Sequence, residues 1–426
     1  MFKTFVQKKL ESYVKVYFQK HPDIKLVAVG GSVGKTSTKI AIATVLSEKF
    51  RVRLQEGNHN TEMSAPLAIL GVDYPDNIKS ISNWLAVFKA IRYRIKQPTD
   101  VDVIVQELGS DRIGQIPHFG TYLSPDIAVV TAISPEHMEY FKTINAVAKE
   151  ELSIADFSKQ ILINRDDIDG VFAKYLTNYR VNTYGTTASA EYHFISENYS
   201  SENGHSGHFF APEFSESIPA TINALGEHTL RPATAAAAIG VKLGMNAVEI
   251  AGGLAKIQPI PGRMNILHGI KNSTIIDDTY NSSPLAAESS IRVLYQLTVP
   301  QRIAVLGSMN ELGDTSALEH EKIGKMCDPN QLAWVITVGD QAEQYLAPAA
   351  KSRGCQVKSF KNALIAGAFV RGVLEEGSAI LFKGSEGGIY LEEAVKEILE
   401  STEDEIKLVR QSTEWLARKE SFFQNL

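Results

Sequence analysis

Cysteine is scarce in this sequence. Its 426 residues include only two cysteines, Cys327 and Cys355. Two thiols exclude a disulfide framework and a four-thiolate zinc site. We therefore predict two unpaired thiols in a reducing compartment, where disulfides do not persist.

Long apolar runs and an excess of positive charge are also missing. No segment approaches the apolar length of a membrane span, and the N-terminal MFKTFVQKKLESYVKVYFQK lacks the continuous apolar core of a secretory signal. The formal net charge of −6 argues against a nucleic-acid partner, since phosphate backbones require clustered lysine and arginine. We expect a cytoplasmic monomer that does not insert stably into a membrane.

The N-terminal segment is amphipathic and predicts a helix over residues 1–23. A basic, aromatic helix of this kind can touch a membrane surface. More often its apolar stripe packs onto the domain that follows, and we favour that interpretation. The stripe consists of Phe2, Phe5, Leu10, Val14 and Phe18.

The first half of the chain alternates short apolar runs with helical stretches. Runs rich in valine and isoleucine predict buried parallel strands at KLVAVG (25–30), VDVIVQELG (101–109), DIAVVTAI (126–133) and QILIN (160–164). The polar, turn-rich residues 186–222 predict antiparallel strands appended to that sheet, and the Ala-rich stretch 231–251 predicts a helix. The fold class is therefore α/β, with a central P-loop ATPase domain over residues 24–260.

The second half predicts a separate domain. QPIPGR (258–263) breaks regular structure with two prolines and a glycine, which is typical of a linker. The strands STIIDD (273–278), RIAVLG (302–307), WVITVG (334–339) and SAILFKG (378–384) have Rossmann-like spacing. No GxGxxG fingerprint accompanies them, so dinucleotide binding is not indicated. We assign residues 264–426 to this C-terminal domain.

The strongest local motif is GGSVGKTST (30–38), between the first strand and a predicted helix. A turn containing Gly31, Ser32 and Gly34 lets backbone N–H groups surround a phosphate, and the helix dipole favours the anion. In such a loop Lys35 supplies a charge for the β- and γ-phosphates and Thr36 a hydroxyl for Mg²⁺. The motif predicts binding of ATP and Mg²⁺.

Glu107 ends the apolar strand VIVQE, which predicts a position at the ligand-binding edge of the sheet. Because phosphate loops usually need an acidic partner for the metal, we favour a role for Glu107 in metal binding. The residue pattern gives no comparable support for a role of His137, in ISPEHMEYF (133–141), or of Lys149, beside Glu150 and Glu151. By residue pattern alone, a lone histidine is usually structural and such a lysine usually a solvated ion-pair partner.

Taken in order, these motifs resemble the Mur ligase family. The first half contributes GSVGKTS, ELG, HMEYF, VAK and NRDD, and the second half PGR, DDTYNSSP, LGSMNELGD and FKGS. The second-half motifs are similar to those of the family's D-alanyl-D-alanine-adding enzymes. The resemblance implies an ATP-dependent ligase of peptidoglycan synthesis, and hence of cell-wall biogenesis and cell shape. Such a ligase activates a carboxylate as an acyl phosphate and joins it to an amino acid or dipeptide.

The resemblance also implies roles for individual residues. Glu107 and His137 would bind metal, and Lys149 would be the lysine that is often carbamylated in the family. With Lys35, Lys149 and His137 form the expected catalytic set. The residues expected to contact ATP or its phosphates are Gly31, Ser32, Gly34, Lys35, Thr36, Ser37, His228, Arg263, Asp278 and Asn281. Those expected near the amino substrate are Asn281, Glu311, Lys383 and Ser385.

The sequence departs from the family pattern at three places. The phosphate loop begins at about residue 30, so we expect no separate N-terminal UDP-binding domain before it. HTLRPA (228–233) keeps His228, but Thr229 and Pro232 replace the family's amides on the adenine side. Glu386 follows KGS where arginine is common, which disfavours a substrate carboxylate nearby.

Three functions therefore stay open. The first is addition of D-Ala-D-Ala to a nucleotide-linked peptidoglycan precursor. The second is the same chemistry on an acid without UDP, such as a poly-amino acid or a folate polyglutamate. The third, of a different class, is a non-catalytic ATP-binding scaffold.

Overall fold

The computed structural model describes residues 2–55, 59–75, 77–178, 180–200, 204–224, 226 and 229–425. The chain forms two compact units, one of Met1–Ser134 with Thr143–Ile257 and one of Pro135–Lys142 with Gln258–Leu426. The domain limits inferred from the sequence stay a prediction. No helix among the described residues is both long and apolar enough to cross a membrane.

The first unit begins with a helix and continues as alternating strands and helices. Its strands are β1 (Lys25–Gly30), β2 (Val52–Arg53), β3 (Val103–Glu107), β4 (Ile127–Val130), β5 (Ile161–Asn164), β6 (Val181–Gly185), β7 (Tyr192–Ser200), β8 (Gly204–Phe210) and β9 (Ile218–Ile222). Its helices are α1 (Phe2–Lys20), α2 (Lys35–Leu46), α3 (Ser64–Leu70), α4 (Ile81–Lys96), α5 (Gln115–Phe119), α7 (Ile144–Leu152), α8 (Leu230–Lys242) and α9 (Ala247–Ala255).

In the described part of the first unit these strands form one nine-stranded sheet, in the order β2-β3-β1-β4-β5-β6-β7-β8-β9. Pairing is parallel from β2 to β7 and antiparallel for β7–β8 and β8–β9. Alternate residues of β1, β3 and β4 pack into one core with α2, α8 and α9. The predicted parallel sheet with a small antiparallel portion is confirmed.

The second unit is also a layered α/β structure. Its strands are β10 (Asn265–Gly269), β11 (Ser273–Asp278), β12 (Arg302–Gly307), β13 (Trp334–Val338), β14 (Val357–Phe360) and β15 (Ala379–Lys383). Its helices are α6 (Met138–Phe141), α10 (Pro284–Gln296), α11 (Ser316–Met326), α12 (Ala347–Ser352), α13 (Ala363–Val373), α14 (Glu392–Lys396) and α15 (Thr413–Gln424).

Within the described residues of this unit the strand order is β10-β11-β15-β12-β13-β14, with only β10 antiparallel to its neighbour. Helices α10, α11 and α12 contribute to the core on one face, and α13 and α14 to the core on the other. Because helices cover both faces, the strands carry continuous apolar runs, as the Rossmann-like prediction required.

Helix α1 packs through a different stripe from the predicted one. Its buried residues are Val6, Leu10, Tyr13, Val14 and Tyr17. Phe5 is 60% exposed and Phe2 38% exposed, so their predicted burial is wrong. The two tyrosines determine the helix rotation, because the Tyr13 ring contacts Phe88 and the Tyr17 hydroxyl accepts from buried Arg53.

The Ala-rich stretch forms two helices instead of the predicted one. Helix α8 ends at Lys242, and Gly244 adopts φ 81°, which a continuing helix does not allow. Asn246 then caps α9 in a reciprocal pair of hydrogen bonds with Glu249. Helical periodicity alone did not predict this break, since both segments are apolar.

Candidate active site

The loop between β1 and α2 closes tightly against the end of β4. Ser32 N donates to Ala132 O (2.9 Å), and Ser134 N donates to Ser32 Oγ (3.0 Å). Gly31 has φ 116°, and a Cβ atom there would lie 2.4 Å from Thr131 Oγ1. Glycine is therefore required at position 31 by both conformation and space. The loop places the N-terminus of α2, a favourable site for an anion, at the carboxyl end of the sheet.

Lys35 is the first residue of α2 and is half-buried. Its Nζ donates to Gly31 O (2.5 Å) and to Ser32 O (3.1 Å). The ammonium thus turns back over the loop backbone, where a phosphate bound by the loop would meet it. This placement agrees with the predicted role, which remains a prediction.

Glu107 lies at the end of β3, directly beside the phosphate loop. Strand register pairs Val29 of β1 with Glu107, so both strands end at one edge. The buried carboxylate accepts from Thr36 Oγ1 (3.1 Å) and Asn60 Nδ2 (3.1 Å) and lies 3.4 Å from Lys39 Nζ. The structure brings the predicted Thr36 and Glu107 together with Asn60, which belongs to an Asn-rich stretch similar to one in the family, and with Lys39, which the sequence did not indicate.

The donor set at this edge suits Mg²⁺. Among the described residues no group of three or more His, Cys, Asp or Glu side chains is placed to hold a metal. Mg²⁺ in phosphate-transferring sites usually takes one or two protein oxygens and completes its shell with water and substrate phosphates. The Glu107 carboxylate and Thr36 hydroxyl are oxygens of this kind.

Replacing the Glu107 carboxylate is expected to weaken metal binding. Glu107→Gln keeps the size of the side chain but removes its charge, so the Mg²⁺ concentration for half-maximal ADP release should rise more than about tenfold. Asn60→Ala is the matched control, because it removes a hydrogen bond to Glu107 while leaving the carboxylate in place. A Glu107→Gln enzyme with the wild-type Mg²⁺ titration and rate would contradict the assignment.

Lys149 lies on α7, where its side chain is exposed to solvent. The neighbouring Glu150 and Glu151, in contrast, are both buried. His228 lies outside the described residues, so its predicted contact with adenine stays a prediction. The adjacent Thr229 begins α8 and donates to Gly226 O (2.6 Å).

His137 belongs to the second unit and precedes the short helix α6. It adopts the unusual φ of 49°, and its Nδ1 lies 2.7 Å from Glu311 Oε2. Hydrogen bonding to His137 lowers the pKa of the Glu311 carboxyl. Glu107 lies in the first unit, so a metal shared by Glu107 and His137 remains a prediction.

A second polar cluster forms where β11 and β15 end side by side. Asp278 and Lys383 are register partners, and Lys383 Nζ lies 2.9 Å from Asp278 Oδ2 and donates to Asn281 O (2.6 Å). Burial lowers the pKa of the Lys383 ammonium, and the Asp278 carboxylate opposes that shift. Ser385 lies next to this cluster, since its Oγ donates to Ser282 O (3.4 Å). Four residues predicted from two separate motifs, DDTYNSSP and FKGS, thus converge.

Residues that the sequence did not indicate support this second cluster. Asp277 accepts from Gly262 N (2.9 Å) and Thr279 Oγ1 (2.6 Å), and burial raises its pKa to about 6. Arg410 donates to Thr279 O (2.7 Å) and Tyr280 O (3.0 Å). The predicted Arg263 stacks on Tyr280, with its guanidinium carbon 4.1 Å from the ring centroid. The doubled aspartate of DDTYN was the one available sign of Asp277.

The architecture and the phosphate loop define a nucleotide-dependent α/β enzyme with two layered units. Residues 29–240 match the Mur ligase middle domain, and residues 262–386 match the Mur ligase glutamate ligase domain. The chain belongs to the Mur ligase family and is an ATP-dependent acid–amino-acid ligase that forms a carbon–nitrogen bond.

Individual relatives agree with this assignment. The chain is 28% identical over 405 residues to the UDP-N-acetylmuramoyl-tripeptide–D-alanyl-D-alanine ligase of Bacillus subtilis, covering 92% of this chain and 79% of that one. A solved structure of MurF from Acinetobacter baumannii is similar with a TM-score of 0.76 at 21% identity, over 92% of this chain and 80% of that one. The folylpolyglutamate synthase of Mycobacterium tuberculosis, complexed with ADP and AMPPCP, is similar with a TM-score of 0.64 at 15% identity, over 91% and 94%. At these identities the two structures show likeness of fold.

Proposed function

We propose that this protein joins D-alanyl-D-alanine to the free carboxylate of a peptidoglycan-precursor peptide, with cleavage of ATP to ADP and phosphate. The observation that carries the proposal is the similarity, along nearly the whole chain, to the UDP-N-acetylmuramoyl-tripeptide–D-alanyl-D-alanine ligase of Bacillus subtilis. The convergence of Asp278, Lys383 and Asn281 supports it, because these residues come from the motifs shared with that class.

The chemistry requires activation because a carboxylate is a poor acyl donor. A carboxylate oxygen of the peptide attacks the γ-phosphorus of ATP, the bond to the bridging oxygen breaks, and ADP leaves. The neutral amine of the dipeptide then attacks the acyl carbon, and the tetrahedral intermediate expels inorganic phosphate to leave the amide. The protein supplies positioning and charge, which are the main contributions to phosphoryl transfer.

In this scheme the phosphate loop and Lys35 hold the transferring phosphoryl group. Thr36 and Glu107 would hold Mg²⁺, which would supply positive charge to offset the negative charge on the transferring phosphoryl group. In the second unit, Asn281, Glu311, Lys383 and Ser385 would lie near the amine, and His137 would bind metal. Arg263 and Asp278 contact ATP.

One observation favours a second candidate, a Mur-family ligase that acts on a different acid or amine. Glu386 follows the KGS motif and is half-buried. A carboxylate at this position repels the carboxylate of an amino substrate. A folylpolyglutamate synthase is among the structures of similar fold, so a folate with glutamate is the alternative substrate pair to test.

A screen of substrates distinguishes the two candidates. The full chain is incubated with ATP, Mg²⁺ and either UDP-muramoyl tripeptide or a folate, each with D-Ala-D-Ala or L-glutamate, and ADP release is measured. ADP that depends on both the tripeptide and D-Ala-D-Ala supports the first proposal. Release only with folate and glutamate refutes it. Reactions without amine measure hydrolysis of the acyl phosphate.

Lys149→Ala is expected to be inactive and partly restored by formate or acetate. The prediction rests on the match of VAK (147–149) to the family's carbamylated position, and on the exposure of Lys149, which lets CO₂ reach the amine. A small carboxylate could supply the lost metal-binding oxygens. The control is Lys159→Ala, which removes an exposed lysine paired with Asp126. Full activity of Lys149→Ala in CO₂-depleted buffer would exclude the carbamate.

A further inference from the structure

Two consecutive glutamates of helix α7, Glu150 and Glu151, are buried in the protein. Glu150 is 4% exposed and Glu151 is 3% exposed, whereas Lys149 beside them faces solvent. Burying a carboxylate is costly unless hydrogen-bond donors satisfy it. Both side chains have such donors, and the donors belong to two different loops.

Glu151 binds the phosphate loop itself. Its Oε2 accepts from Gly31 N (2.6 Å), and its Oε1 accepts from Ser110 Oγ (2.8 Å), in the segment after β3. These residues lie 120 and 41 positions away along the chain. Burial raises the pKa of Glu151, and the charge of Lys35 opposes that shift, so the carboxylate and the ammonium interact.

This arrangement is unusual for a phosphate loop, whose backbone N–H groups generally face the ligand. Here the Gly31 N–H points instead to a resident anion. Gly31 occupies the position with φ 116° at the entrance of the loop, so its orientation fixes the peptide groups that follow. A single hydrogen bond to a buried carboxylate anchors that entrance to α7, the helix that also carries Lys149.

We propose that Glu151 is a positioning residue for the phosphate loop. Its carboxylate holds Gly31 so that the N–H groups that follow, and Lys35, meet the nucleotide phosphates. The inference rests on the proposed role of residues 30–37 in binding ATP. Glu151 does not touch the reacting atoms. It acts through its hydrogen bond to the loop.

Glu150 provides a matched control within the same helix. Its Oε2 accepts from Gly114 N (2.8 Å) and its Oε1 from Ile116 N (2.8 Å), at the start of α5. The two glutamates therefore share helix, burial and the number of hydrogen bonds. Both bind the segment between β3 and α5, through Ser110 and Gly114, but only Glu151 also binds the phosphate loop.

The two substitutions of Glu151 separate the hydrogen bonds from the charge. Glu151→Ala removes both bonds. Glu151→Gln keeps both, because its carbonyl can accept from Gly31 N while its amide donates to Ser110 Oγ, a hydroxyl that can serve as donor or acceptor. Rescue by glutamine is therefore expected if positioning of Gly31 is what matters.

The test measures binding of ADP with Mg²⁺ to the full chain by calorimetry, alongside the melting temperature and the steady-state rate. Glu151→Ala should weaken ADP affinity at least about tenfold, which corresponds to about 1.4 kcal/mol, and should lower kcat. Glu151→Gln should stay within about threefold of wild type. Glu150→Ala should melt at a lower temperature but bind ADP within about threefold of wild type. A hydrogen bond to a charged group contributes about 1.5–3 kcal/mol, so its loss is sufficient for a tenfold change and larger than a threefold one.

Three results would overturn the inference: a folded Glu151→Ala that binds ADP like wild type, a Glu150→Ala that loses the same affinity, or a Glu151→Gln as weak as Glu151→Ala. If the wild-type chain binds neither ADP nor ATP, the proposed nucleotide role of the loop fails together with the inference. Wild-type binding with unaffected variants refutes the inference alone.

Discussion

Lys35→Ala should lower the rate of ADP release at least about a thousandfold while the protein stays folded. The ammonium lies over the phosphate loop and donates to Gly31 O and Ser32 O. Losing a charge that stabilises the transferring phosphoryl group costs several kcal/mol of barrier. Because Lys35 is only half-buried and its alkyl chain fills no core, the free energy of unfolding should change by less than about 1 kcal/mol.

The measurement is single-turnover and steady-state ADP release, with the melting temperature as a check on folding. Lys25→Ala serves as control, because Lys25 opens β1, the strand that leads into the same loop, and its exposed ammonium pairs weakly with Asp126 at 3.8 Å. A folded Lys35→Ala enzyme that keeps more than about a tenth of the wild-type rate would refute the phosphate-loop assignment.

Glu392→Ala should give the largest loss of stability, about 3–5 kcal/mol. Glu392 is fully buried at 0% exposure and accepts from Arg410 Nε (2.8 Å) and Nη2 (2.6 Å). Lys419 Nζ lies 3.4 Å away, and both cations are themselves buried. Removing the carboxylate leaves Arg410 without its charged partner, in a site where its guanidinium also holds Thr279 O and Tyr280 O.

Denaturant unfolding of the full chain measures this loss, in the transition assigned to the second unit. Glu321→Ala is the comparison, because it breaks an ion pair with Lys325 that is exposed on α11, and such pairs contribute less than about 1 kcal/mol. Equal effects of the two substitutions would show that burial does not govern the Glu392 network.

The parallel strands that the sequence predicted share one property, which is burial. Strands β1, β3, β4, β5 and β15 are buried along nearly their whole length, so they appear as continuous apolar runs. The sequence did not predict β2, β6, β10 and β14, which are short or only partly buried. Such strands depend on pairing with distant partners, which local composition does not contain.

The site divides in the same way. Lys35 and Thr36 stand in a continuous motif, and Glu107 ends an apolar run, so the chain itself indicates them. Glu151 reaches Gly31 across 120 residues, and Arg410 reaches Thr279 across 131, so only the fold reveals those contacts.

The C-terminal segment, acidic and then basic, shows where prediction from local sequence fails. Residues 401–420 suggest a single terminal helix, but the structure has a 3-10 helix at Thr402–Lys407 and a separate helix α15. Arg410 lies between them with φ 57°. The Arg410–Glu392 pair stabilises a conformation that local propensity does not favour.

The outer strands of both sheets are poor templates for further strands. In the described residues the larger sheet ends at β2, which has two residues, and at β9, where Pro219 carries no N–H group. The smaller sheet ends at β14, four residues long with Lys358 exposed, and at β10. Short, proline-containing or charged outer strands discourage edge-to-edge association of identical chains. The two large open sheets therefore resist aggregation through their edges during folding and at high concentration.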